Sequence, residues 1–115
     1  MSESQISFED FKKVEIKIGK ILTAERVEGS DKLIKLTVDF GAPDLPAGRQ
    51  VIAGIGKAYA PEILVGKLCP FAYNLESKML KGLESQGMIM CPSDESGSPV
   101  LLNPDKEIKP GSTVK

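Results

Sequence analysis

Histidine and tryptophan are both missing from this 115-residue chain, and aromatic residues make up only 5% of it. Without histidine, the Ser-His-Asp and Cys-His nucleophile systems and the common zinc arrangements are excluded together. So few aromatics argue against a broad platform on which single-stranded bases stack. The two cysteines, Cys69 and Cys91, lie far apart in apolar, strand-like runs. They read as buried thiols rather than as a framework disulfide or a metal site. No apolar run is long enough to span a bilayer, and no charged start followed by an apolar stretch resembles a signal peptide. The expectation is therefore a cytoplasmic protein. Charge of one sign is lacking too. The formal net charge is −1, so any nucleic-acid surface must be a local patch with the acids placed elsewhere.

What is present is the composition of a globular domain: 41% hydrophobic and 27% charged residues, enough for one domain over residues 1–115 with a modest core. After a polar start, Ser7 is a candidate helix N-cap. Asp10 follows at the capping-box position and Ile6 and Phe11 at those of a hydrophobic staple. Phe8 and Phe11 share one face, so a helical turn pressing two phenylalanines onto something apolar is expected. From Val14 the period becomes two. Val14, Ile16 and Ile18 alternate with charges, and a phase shift at Gly19 predicts a bulge. A turn at Glu28–Asp31 leads to a second strand carrying Ile34, Leu36, Val38 and Phe40, which would pair with the first as a hairpin.

Gly41 to Gly48 is expected to be a loop, Val51–Ile55 a third strand, and Tyr59–Leu64 a helical turn with Pro61 near its start. Lys67–Tyr73 reads as a fourth strand, placed at an edge or bulge because Pro70 removes a ladder donor. Met88–Cys91 is the fifth. Val100–Leu102 and Ile108 suggest a small C-terminal β element. Five short strands, a bulged first strand and a helical turn between the third and fourth predict an all-β fold: an OB-fold five-stranded barrel with a short N-terminal helix and a small C-terminal β element.

Two apparent motifs fail on inspection. Gly54-Ile55-Gly56-Lys57 invites a phosphate-loop reading, but a Walker loop needs glycine at Val51 and Ser or Thr at Ala58. The carboxylates are scattered among lysines, and no two stand out as an acid–base pair. No catalytic residue, cofactor or metal site is expected.

The stretch from Tyr73 to Cys91 is more informative. Leu75, Leu80 and Leu83 can anchor it to a core while Lys78 and Lys81 reach outwards. Ser85 offers a small donor and acceptor, and Met88 an adaptable apolar surface. Such a segment suits contact with a partly stacked, negatively charged ligand better than bond chemistry. A plain strand-loop-strand connection with solvated lysines is the alternative.

Three ordered motifs resemble the tRNA-binding domain family. The first is Ala24-Glu25-Arg26-Val27-Glu28-Gly29-Ser30-Asp31-Lys32-Leu33. The second runs from Arg49 through Val51-Ile52-Ala53-Gly54-Ile55 to Tyr59-Ala60-Pro61-Glu62 and Leu64-Val65-Gly66. The third is Asn74-Leu75 with Lys78, Gly82 and Ser85-Gln86-Gly87-Met88. Asn103-Pro104-Asp105 and Lys109-Pro110-Gly111 also resemble the tail of the synthetase branch, so the resemblance spans about Phe8 to Lys115. The family includes the C-terminal domain or β subunit of methionyl-tRNA synthetase, stand-alone structure-specific tRNA-binding proteins and a secretion-chaperone-like branch.

The resemblance implies a non-catalytic OB-fold module that grips the outer corner of tRNA, with no cofactor, metal or membrane involved. By motif position, Lys32, Asn74, Lys78, Ser85, Gln86 and Met88 would form the tRNA-binding set. RNA loops expose base faces and 2′-hydroxyls, and lysines supply a salt-sensitive grip on phosphates. The chain departs from the family pattern where Glu76 and Ser77 precede a single Lys78, which thins the basic patch, and where Cys69-Pro70 replaces a β-branched pair. The loop at 43–48 is also longer than in the shortest members. The resemblance also implies a homodimer and, as a further partner, a methionyl-tRNA synthetase catalytic subunit. Ile6, Phe8, Phe11 and Val100–Leu102 could serve such a dimer or pack on their own barrel. The competing function is a chaperone-like dimer binding apolar polypeptide segments.

Overall fold

The structure is a computed structural model that describes residues 4–42 and 47–115. The expected 41–48 loop therefore lies partly outside the described residues, as does the start of the polar N-terminus.

An 11-residue strand, β1 (Ile16–Arg26), is the spine. Its second half pairs antiparallel with β2 (Ile34–Asp39) and its first half with β4 (Leu68–Ala72), the two registers overlapping at Lys20. β3 (Arg49–Ala53) continues from β2, and β7 (Met88–Ile89) from β4, giving the order β3-β2-β1-β4-β7. The sheet coils until the chain entering β7 meets β3. There Gln86 N–H donates to the Gln50 carbonyl at 2.8 Å. The result is the expected OB-type barrel, nearly closed.

Strand patterning explains the core. β2 alternates strictly, with Ile34, Leu36 and Val38 fully buried, as a half-buried strand should. Ile21, Val51 and Phe71 fill the barrel with them, and Leu64, on the short helix α2 (Pro61–Leu64), also joins the core. The Phe40 ring meets those of Phe71 and Tyr73 edge-on at 5.4 and 4.9 Å, a favoured aromatic geometry.

The bulge in β1 falls between Ile21 and Thr23 rather than at Gly19. Gly19 has a different role: a side chain there would collide with Val38 and Phe40. The apparent phase shift arises because both faces of this strand are covered. Gly19 and Ile21 face the core, while Ile18 lines an apolar hollow with Pro70, Leu102 and Val114. The cover comes from the C-terminal segment, whose Leu102, Pro104 and Ile108 line that hollow, and β8 (Thr113–Val114) pairs edge to edge with Ile16 and Lys17. Gly111 N–H donates to the Ile18 carbonyl (2.6 Å) and Ile18 N–H to that of Ser112 (2.9 Å). The C-terminal β element thus exists, but on Thr113–Val114. Val100–Leu102 is not a strand, although Leu101 packs against the core.

Pro70 is not on an edge strand. β4 lies between β1 and β7, and Met90 N–H donates to the Pro70 carbonyl at 3.0 Å. The proline is tolerated because β7 is only two residues long, so its missing donor falls where the ladder is ending.

At the N-terminus, α1 (Phe8–Phe11) is capped by the Ser7 hydroxyl, which accepts from Asp10 N–H at 3.1 Å. The Asp10 carboxylate reaches forward to Lys13 at 3.3 Å. None of the helix is buried, and Phe8 is 70% exposed. Phe8 therefore does not press onto this chain's own barrel, while Phe11 keeps 42% of its surface exposed. Among the described residues, no helix is long and apolar enough to cross a membrane.

Candidate nucleic-acid interface

Between β4 and β7 the chain forms a second, two-stranded sheet: β5 (Lys78–Leu80) and β6 (Leu83–Ser85). Neither the ligand-contacting segment nor the plain strand-loop-strand connection expected here includes this hairpin. The turn at Lys81-Gly82 has positive φ at both residues, 51° and 77°. That is the backbone a tight hairpin requires, but usually on Asn-Gly, so the signal was weak. Leu75, expected to anchor this segment, is exposed, whereas Leu80 and Leu83 are half-buried.

The hairpin leans on β3. Ile52 N–H donates to Ser85 Oγ at 2.9 Å, and that hydroxyl donates to the Gly87 carbonyl at 3.1 Å. Ser85 is only 3% exposed. Its hydroxyl thus satisfies a backbone donor of β3 and shapes the turn that follows, instead of facing outwards. Gln86 accepts from Gln50 N–H through Oε1 (3.2 Å), while Gln50 Nε2 donates to the Glu84 carbonyl (2.8 Å). Gly87 has φ of 146° and sits against the Ala72 carbonyl. The consequence is a fixed turn from which Met88 projects, 52% exposed.

Asn74 clamps the entry to β1. Its Oδ1 accepts from Glu15 N–H (2.8 Å) and its Nδ2 donates to the Lys13 carbonyl (2.7 Å). Lys78 is exposed and stands opposite Ser85 in the hairpin register. Five of the six candidate residues are thereby gathered on one connection. Lys32 is separate, exposed on the β1–β2 turn, where its carbonyl accepts from Gly56 N–H at 2.7 Å. The link between the two regions runs through the hairpin tip. Lys81 lines a shallow hollow of about 380 Å³ together with Arg26, Lys35 and Leu83. Arg26 in turn donates to the Gly56 carbonyl at 2.9 Å. Two lysines here are matched by acids, Lys35 with Glu25 at 2.9 Å and Lys57 with Asp31 at 3.7 Å, so the rim is mixed rather than uniformly basic. A hollow of about 540 Å³ between Lys20, Asp39 and Glu107–Pro110 involves none of these residues.

One supporting residue had no assigned role in the sequence reading. Arg49 donates to the Tyr73 carbonyl at 2.7 Å and reaches that of Gln86 at 3.4 Å, with its guanidinium 3.7 Å from the Tyr73 ring centroid. Lys17 stacks on the same ring at 4.3 Å. One guanidinium nitrogen serves both carbonyls while the group lies against the ring, a combination that suits arginine better than lysine. Arginine at a strand start is common, and its partners lie 24 and 37 residues away, so nothing local in the sequence marks the role.

This site can hold a polyanion loosely and offer it one soft apolar contact. The family model for the tRNA binding domain matches residues 16–113. A methionine–tRNA ligase of Caldanaerobacter subterraneus subsp. tengcongensis is 47% identical over 109 residues, covering 95% of this chain and 16% of the ligase. The ligase of Archaeoglobus fulgidus is 45% identical over 97% of the chain, again 16% of its own length. The chain thus spans about a sixth of these relatives. Among solved structures, a MetRS-related protein from Pyrococcus horikoshii superimposes with a TM-score of 0.88 at 35% identity, covering 96% of this chain and 98% of that one. The chaperone CsaA from Bacillus anthracis str. Ames gives 0.83 at 31% identity, covering 96% and 99%.

Proposed function

We propose, from the premise that this chain belongs to the tRNA-binding domain family, that it is a non-catalytic module gripping the outer corner of tRNA where the D and T loops meet. Met88 packs its thioether on an exposed base edge, while Lys32 and Lys78 lie near phosphates. Ser85, Gln86 and Asn74 act one step back. They hold the turn and the entry to β1 so that the contacting side chains are already in place, which lowers the ordering cost of binding. The observation that carries this reading is the exposed Met88 on a turn fixed from β3 by Ser85 and Gln86.

In this reading the module serves methionyl-tRNA synthetase as an appendix or β subunit in the cytoplasm, adding a second contact that raises the enzyme's hold on tRNA. Two copies pair through the exposed Ile6, Phe8 and Phe11 and the Val100–Leu102 strip. The test is a gel-shift of the purified chain against total tRNA and against a plain RNA duplex of equal length, across a salt series. Binding that prefers tRNA and weakens steeply with salt is expected. Equal affinity for the duplex would overturn the assignment.

A second reading is favoured by one observation. Ile6 and Phe8, 68% and 70% exposed, form an apolar surface of the kind that holds unfolded polypeptide, and CsaA is among the similar structures. Suppression of a client's aggregation, undiminished by competing tRNA, would support that reading over the first.

A further inference from the structure

Phe71 pairs with Ile89 across β4 and β7. One step further sets Pro70 opposite Met90, as the Met90 N–H to Pro70 carbonyl bond of 3.0 Å requires. Continued one step past the end of β7, the same register brings Cys91 opposite Cys69. Because the Pro70–Met90 position is a hydrogen-bonded one, the cysteine pair occupies a non-hydrogen-bonded position, where Cα atoms come within about 4.5 Å and side chains lie closest. Disulfides need Cα separations of about 4.4–6.8 Å. Directly opposed residues also point to the same face. Here both do: Cys69 is in the core and Cys91 packs against it.

We propose that Cys69 and Cys91 are a site of oxidative modification: a cross-strand dithiol that a low-molecular-weight disulfide converts to an intramolecular disulfide. Cys91 is the entry point, being half-buried where Cys69 is fully buried and covered by Asn103, whose Nδ2 lies 3.7 Å from its sulfur. The Cys91 thiolate attacks one sulfur of the oxidant and expels a thiolate. Cys69 then attacks the Cys91 sulfur and expels the second. Two electrons pass to the oxidant, and the two thiol protons end on the two thiolates released. The linkage would join β4 to the strand that begins at Met88.

Burial pushes the Cys69 thiol up to about 11, with the nearby Cys91 adding to the rise and Lys67 opposing it, and burial raises Cys91 as well. Reaction through the thiolate is therefore slow at neutral pH. It should quicken by about tenfold per pH unit between about pH 7 and about pH 9, as the thiolate fraction grows.

The experiment incubates the folded chain with oxidised glutathione at both pH values, then alkylates it in denaturant and weighs it intact. The expected product is monomeric, lighter by two hydrogens, blocked to alkylation and faster to form at the higher pH. Cys69→Ser should instead retain glutathione on Cys91. A wild-type chain that ends as the mixed disulfide, couples to a second chain through Cys91, or keeps both thiols at the higher pH would overturn the proposal. None of these outcomes depends on tRNA binding.

Discussion

Ser85 and Met88 are neighbours on one turn with divided labour, one buried and bonded, the other projecting. Met88→Ala removes an apolar contact without touching the core. In the proposed complex it should weaken tRNA binding by about 1 kcal/mol, roughly fivefold, with an unchanged melting curve. A filter-binding titration beside a thermal melt checks both halves. Lys32→Ala should act differently. It should lower the slope of log affinity against log salt by about 0.7–0.9 if its ammonium meets a phosphate, which a titration at several salt concentrations reads directly. Ser85→Ala strands the buried Ile52 N–H, and an unpartnered buried donor costs about 1–3 kcal/mol. The expected result is a lower midpoint in urea. Residue type alone could not separate these roles. A serine in a polar turn reads as a free hydroxyl, because its partner lies 33 residues upstream and only barrel closure brings the two together. The bracing roles of Asn74 and Arg49 were hidden for the same reason.

The elements were legible where one face is buried and obscure where that simple rule fails. β2 alternates strictly and was readable from its period. β1 is covered on both faces, so the burial of Ile18 and Ile21 looked like a glycine bulge when the bulge comes later. β8 escaped notice because Thr113–Val114 is short and has meaning only against Ile16 and Lys17. The β5–β6 hairpin was hidden by its turn chemistry. That turn also yields a prediction. Lys81 holds a φ of 51°, a region that asparagine tolerates better than lysine. Lys81→Asn should therefore stabilise the hairpin by up to about 1 kcal/mol, seen as a higher thermal midpoint by calorimetry. The loop at 93–99 responds to pH instead. Asp94 accepts from Ser96 Oγ and from the N–H groups of Ser98 and Ser96 at 2.7, 3.0 and 2.9 Å. These bonds hold its carboxyl below the usual range. Because the folded value is depressed, the contribution is present at neutral pH and lost as pH falls through that lowered value.

At the scale of the whole molecule, barrel and family could both be read from sequence, since period and motif order are properties of the chain itself. Surface assembly could not. Phe8 needed an apolar partner, and only the structure shows that its own barrel leaves it open. If two copies meet there, Phe8→Glu should convert a sedimenting dimer to a monomer while leaving the circular dichroism of the barrel intact. A wild-type chain that already sediments as a monomer would remove the pairing from the proposal.

The pairing of Ile16 with Val114 has a topological consequence. The strand that opens the barrel and the segment that finishes it run side by side, so the backbone nearly describes a ring. Joining the two ends by a short linker and opening the exposed loop at 95–97 would give a circular permutant. Every strand neighbour would be preserved, and only the order in which the chain visits them would change.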